Sequence, residues 1–220
     1  MAPRSSKAGK GARRQTVRPR RDAGVPLLPV VVGAVLGVLA IVMIGTIVYL
    51  NRPAPAPGST VSGIPCDHLE QTQVHYHVGL QIVYKGVLTN LRDYTGIQLD
   101  SSGKIQCYYW LHIHPEDKNV IHIESPASDT FTLGQFFDVW NHWSTVNGYG
   151  SVKLDSNHVA TFTIGPSDRL IVYVDKGDGK GPTVYTGDPR AIVLRNHEVI
   201  SLVIAPPDNP PPAFTFPSGL

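Results

Sequence analysis

Beyond residue 43 the chain has no methionine; Met1 and Met43 are the only two it contains. Without a thioether in the part that folds, a soft Cu(I) carrier or a blue-copper centre is disfavoured from the outset. Several catalytic signatures are missing as well. There is no HExxH, no GxSxG, no CxxC and no glycine-rich phosphate loop, so the familiar zinc-protease, serine-hydrolase, thiol-redox and nucleotide-binding motifs do not apply. The acidic residues Asp175 and Asp178 around "KGDGKG" do not follow EF-hand spacing. That segment reads instead as a glycine-rich hairpin turn.

Charge is absent in two telling ways. Residues 1–21 contain no acid but eight basic side chains, set among Gly, Ser and Ala that build no core, which describes a solvated tail. Residues 27–50, "LLPVVVGAVLGVLAIVMIGTIVYL", contain no charge of either sign over 24 positions, roughly 36 Å of helix at 1.5 Å per residue. The stretch is too long for the core of a signal peptide and predicts a membrane span. Eight positive charges before it, against Arg52 alone just after it, place the N-terminus in the cytoplasm and the remainder outside. The net charge of +2 conceals this split, since residues 53–220 hold 10 Lys plus Arg against 16 Asp plus Glu, a net of −6. Such a surface offers nothing to nucleic acid, and the basic tail suits anionic lipid.

The sequence therefore predicts a basic cytoplasmic tail (1–26), a transmembrane helix (27–50), a Pro-rich linker (51–63), a soluble domain (64–205) and a Pro-rich C-terminal tail (206–220), in which Phe214 and Phe216 can pin back onto the domain. Cys66 and Cys107 fall on the oxidising side of the membrane, where a disulfide is the default reading. The competing reading is a thiolate pair binding copper or zinc. Period-two alternation argues against it, because Cys107 and the pair His112 and His114 have opposite parity on one unbroken strand.

The soluble part reads as mainly β (α+β), a compact antiparallel β-rich domain with one amphipathic helix. Runs at 74–84, 105–113, 120–124, 158–164, 169–175, 191–194 and 199–205 are β-branched or aromatic and bounded by turn residues. In "TLGQFFDVWNHWS" the residues Leu133, Phe136, Phe137, Trp140 and Trp143 recur at helical spacing, and Thr132 with Gln135 forms a capping box. That aromatic stripe predicts a core face.

The chemistry gathers in histidine. In "WLHIHPEDKNVIHIES" (110–125) an antiparallel hairpin of simplest register sets His112 opposite His122, and alternation puts His112, His114, His122 and Glu124 on one face. Leu111, Ile113, Ile121 and Ile123 take the other, apolar face. A second His-x-His, His75 and His77 in "QVHYHVGLQIVY", shares a face by the same rule. If that strand neighbours the hairpin, five histidines and one carboxylate face one another, with Glu124 as ligand or as a partner that orients imidazoles. His68 is a further possible ligand, whereas His142, His158 and His197 read as surface or hydrogen-bonded residues.

Such a cluster predicts a transition-metal ion, Zn or Cu(II) first and Fe behind them. Two other readings stay open. One is a metal-dependent enzyme using a His₃ site with an open position, with Glu124, Glu116 or Asp117 as base. The other is a metal-free histidine-rich interaction domain acting as a pH sensor. A cupin is disfavoured, because its glutamate follows the His-x-His after three or four residues and Glu124 lies ten beyond His114.

The runs "HYHVGLQIVYKG", "CYYWLHIHPEDKNVIHIESP" and "FTLGQFFDVW", with the C-terminal "FTFPSGL", resemble a group of uncharacterised, membrane-anchored bacterial proteins that pair a His-x-His strand with a segment of the form "LHTHD..G.IHIES". Here Ile113 replaces the usual Thr, and Pro115-Glu116 departs from the His-Asp order. The resemblance implies the boundaries and the histidine set, and it implies no particular activity or protein partner.

Overall fold

The computed structural model describes the backbone of residues 27–50, 60–205 and 210–220. The basic tail, most of the predicted linker and the start of the C-terminal tail lie outside the described residues. The chain divides into two units, residues 1–50 and 51–220.

In the first unit Leu27–Leu50 forms one continuous helix, α1, with no acidic residue in its first turn and no basic residue in its last. Its described side chains, 31–47, fall short of the roughly 20 apolar residues that cross hydrocarbon. Among the described residues no helix is long and apolar enough to cross a membrane.

The second unit is β-rich. Its strands are β1 (Thr60–Val61), β2 (Ile64–Asp67), β3 (Val74–Tyr84), β4 (Val87–Thr89), β5 (Ile97–Leu99), β6 (Ile105–Tyr109), β7 (Leu111–His112) and β8 (Val120–Ser125), then helix α2 (Leu133–Val146). After it come β9 (Lys153–Leu154), β10 (His158–Ala160), β11 (Phe162–Thr163), β12 (Arg169–Asp175), β13 (Thr183–Tyr185), a 3₁₀ turn (Pro189–Ala191) and β14 (Val199–Ala205). The largest sheet has the order β13-β12-β14-β3-β8-β7, with β4 also paired to β3. Smaller sheets are β1-β2-β6-β5 and β11-β10-β9. Pairing is antiparallel except between β14 and β3, which run parallel at the centre of the large sheet. β14 is buried beyond its first residue, and β3 is buried from His77 to Val83. Across the pair Ser201 Oγ donates to Gln81 Oε1 at 2.8 Å.

Alternation divides the large sheet into two faces. Val78, Leu80 and Ile82 of β3, Ile121 and Ile123 of β8, and Leu111 of β7 join Phe136, Phe137, Trp140 and Trp143 of α2 in the main core. The helix starts where the capping box predicts: Thr132 accepts from the Gln135 backbone while Gln135 Oε1 accepts from the Thr132 backbone at 2.9 Å. On the opposite face, Val83, Val203 and Ala205 form a small satellite cluster, and the C-terminal tail reaches Gly79. A Cβ at Gly79 would lie 2.8 Å from the Phe214 ring, and Phe216 packs at a tilt against His197 with ring centroids 5.1 Å apart. Phe214 and Phe216 thus hold the tail on the domain.

Four details differ from the sequence reading. The run 191–194 is not a strand. Pro189 opens a 3₁₀ turn capped by Asp188, and the strand-type pairing that follows is an isolated bridge between Val193 and Thr132. The run 158–164 breaks into β10 and β11, which fold back on each other where Ala160 takes a φ of +54°. The run 105–113 breaks at Trp110, with β6 and β7 entering different sheets, so the parity argument about Cys107 does not hold even though Cys66 and Cys107 are disulfide-bonded. β1 falls within the stretch read as linker.

Candidate metal centre

The centre is built on three adjacent strands of the large sheet. β8 pairs with β3 so that His77 opposes His122 and His75 opposes Glu124. β7 then pairs with β8 so that His112 also opposes His122. His77, His122 and His112 therefore form one row across the sheet, at the roughly 4.8 Å spacing of neighbouring strands. His75 and Glu124 form the next row, and His114 follows just past the end of β7. All six residues expected from the sequence are brought together on the face opposite the main core.

Backbone contacts fix the row at both ends. His77 accepts at its carbonyl from the His197 backbone at 2.8 Å. At the other end, Nδ1 of the wholly buried His112 lies 2.7 Å from the Tyr109 carbonyl. A carbonyl only accepts, so Nδ1 carries the proton and Nε2 presents its lone pair to the cluster. This is how metal-ligating histidines are oriented by a partner behind them. Tyr109 is itself tied down, opposite Cys66, whose disulfide to Cys107 joins β2 to β6 with Cα atoms 5.4 Å apart.

Two imidazole pairs converge. His75 Nε2 and His77 Nε2 are 3.0 Å apart, as are His112 Nε2 and His114 Nε2. Two nitrogens bound at 2.0–2.1 Å to a tetrahedral ion sit roughly 3.3 Å apart, close to both separations. An imidazole–imidazole hydrogen bond has the same length, so these distances alone do not decide the chemistry. Further atoms that bear on it lie between the pairs. Nδ1 and Nε2 of His122 and Oε2 of Glu124 are buried, and none of the three has a hydrogen-bond partner among the described residues. Asp117 Oδ2 stands 3.4 Å from His122 Nε2 but outside hydrogen-bonding alignment. Buried polar atoms left unsatisfied are costly and uncommon, and an ion would satisfy these.

The protonation states suit a ligand set. Burial, reinforced by neighbouring histidines, lowers His77 to about 4 and His122 to about 2. Burial and the charge of His114 lower His112 to about 3, against a smaller opposing effect of the Tyr109 carbonyl. All three are therefore neutral near pH 7, the form that binds metal. Burial, and then repulsion from Glu70, raises Glu124 to about 7, a carboxyl group that a nearby cation would return to its charged form.

Among the described residues, three groups place ligand atoms within 4.8 Å of one another and could hold a metal ion: His75, His77 and His122; Glu70, His112 and His114; and His114, His122 and Glu124. Glu70 was not foreseen. It arrives from the loop between β2 and β3, with Oε1 3.4 Å from His114 Nε2, and a loop residue carries no periodic signal in sequence. His68 stays apart, its Nδ1 3.1 Å from the Gln106 carbonyl. His158 pairs with Asp155, and His142 lies by Tyr109 outside the cluster. Glu116 is exposed and joins none of the groups.

No family model, no curated protein and no solved structure matches this chain. The functional reading rests on the geometry.

Proposed function

We propose that this is a membrane-anchored, extracytoplasmic protein whose β-rich domain binds a transition metal, Zn or Cu(II) before Fe, through His75, His77, His112, His114 and His122 with Glu124. The observation that carries the proposal is the set of buried, unpartnered atoms of His122 and Glu124 amid converging imidazoles. Imidazole suits zinc and copper, and no soft ligand accompanies it, because both cysteines are consumed in the disulfide. Anchoring is supported by 24 uncharged residues in one helix and by the excess of positive charge before it. The disulfide supports an oxidising location.

A metal-dependent enzyme is the second reading, favoured by the cluster's opening on one side. His75 is 45% exposed and Glu70 38%, while His112 is 0% exposed, so an ion held here is reached by solvent from the His75 and Glu70 side. Water on a zinc ion in such a position would have its pKa drawn towards about 7.

The test is elemental analysis of the full chain in detergent, without a polyhistidine tag, after equilibration with mixed metals and gel filtration. Zinc, copper or iron is retained stoichiometrically by the native protein and by His142→Ala. The folded His112→Ala/His114→Ala double variant retains less metal than the native protein. Native protein that retains no metal under any loading refutes the proposal.

A further inference from the structure

The two imidazole pairs do not converge on the same point. Each has its own 3.0 Å separation, and none of the groups able to hold an ion combines the His75–His77 pair with the His112–His114 pair. Each pair instead acquires its own third donor. His122 completes the first, and the Glu70 carboxylate completes the second.

The groups between the pairs are placed to serve both. Glu124 Oε1 lies 3.3 Å from His75 Nε2 in the first pair and 3.9 Å from His112 Nε2 in the second, while its Oε2 has no hydrogen-bond partner. His122 stands between the pairs as well, its ring centroid 4.7 Å from that of His77 and 4.4 Å from that of His114. Both of its nitrogens are unpartnered and buried. Charge points the same way. Glu70, Glu124 and Asp117 bring three carboxylates to within 3.4 Å of a cluster histidine, more than one divalent ion neutralises.

Resting on the metal-binding reading above, we propose that the centre is dinuclear, with one divalent ion held by His75, His77 and His122, a second by Glu70, His112 and His114, and Glu124 between them. The positions differ in chemistry. Three imidazoles favour Cu(II) or Zn(II), whereas two imidazoles and a carboxylate also accept harder ions such as Mn(II) or Fe(II). Each position has one exposed donor, His75 at 45% in the first and Glu70 at 38% in the second.

Titration of the full chain in detergent with Co(II) and, separately, Cu(II) tests this. The native protein takes up two ions, and electron paramagnetic resonance at two equivalents of Cu(II) shows a signal broadened below the sum of two isolated ions. Glu70→Gln keeps the shape of an exposed side chain and so keeps the fold. It weakens the second ion by at least about tenfold and leaves the first unchanged. His75→Ala/His77→Ala removes the first ion and retains the second. Saturation at one ion in the native protein, with either pair of histidines sufficient to abolish it, overturns the dinuclear centre while leaving metal binding intact; uptake of no ion overturns both.

Discussion

His112 shows what burial does to a single residue in this protein. It is wholly enclosed, gives its Nδ1 proton to the Tyr109 carbonyl, and has a pKa lowered from 6.5 to about 3, mainly by desolvation. His77 and His122, at about 4 and about 2, behave alike. Each is depressed relative to the unfolded chain. As pH falls below about 6.5 the unfolded state takes up protons that the folded state refuses, so stability present above that pH is lost on acidification. Glu124 works in the opposite sense. Its folded pKa of about 7 exceeds the ordinary 4.5, so the folded state gains the proton first and stability rises as pH falls across that interval. Three histidines outweigh one glutamate, and the metal-free protein is expected to melt at a lower temperature at pH 5 than at pH 7. Thermal melts in chelator check this, and a melting temperature that is flat or rises on acidification would show that these imidazoles are not buried in neutral form.

At the scale of elements, the site is a matter of register. The three histidine-bearing segments were legible because strand side chains repeat every two residues, and His75, His77, His112, His122 and Glu124 keep that period in short runs whose alternate positions are apolar. Val74–Tyr84 and Val199–Ala205 stand where the sequence puts them. What sequence could not supply were the pairings made over long separations. The parallel union of β14 with β3, the break at Trp110 and the arrival of Glu70 all depend on segments far apart in the chain. Gly96 is one such distant support. It has a φ of +80°, its carbonyl accepts from the Tyr109 backbone at 2.9 Å, and a Cβ there would lie 2.6 Å from the Leu111 carbonyl and 3.0 Å from His112 Cβ. Gly96→Ala would therefore carry the left-handed strain of about 1–2 kcal/mol and also push on the strand that holds His112. Gly103, at a φ of +82° with nothing within 4 Å, isolates the first effect. Both variants are expected to lower stability in denaturant titrations, and only Gly96→Ala should weaken metal affinity. Equal affinity in the two would detach this glycine from the site.

For the whole molecule, the question is why a small β domain should carry its histidines on a leash. The proposed membrane anchor would confine the binding centre to the neighbourhood of the bilayer, and the charge split of the chain, a basic N-terminal tail against a net of −6 over residues 53–220, would keep the domain itself from adhering to anionic lipid. The disulfide is independent support for the proposed side. Cys66 and Cys107 are both 0% exposed, and a thiol pair there would persist reduced in the cytoplasm and oxidise outside it. The full chain is therefore expected to stay in the membrane pellet after alkaline extraction and to lack titratable thiols when isolated under denaturing, alkylating conditions. Alkaline phosphatase joined after Leu220 should be active. A chain without residues 1–50 should move to the soluble fraction with its thiols reduced, because removing the helix also removes export. Release of the full chain by alkaline extraction, or two free thiols in it, would place the domain on the wrong side of the membrane or off it, and would leave the metal centre to be explained in a reducing compartment.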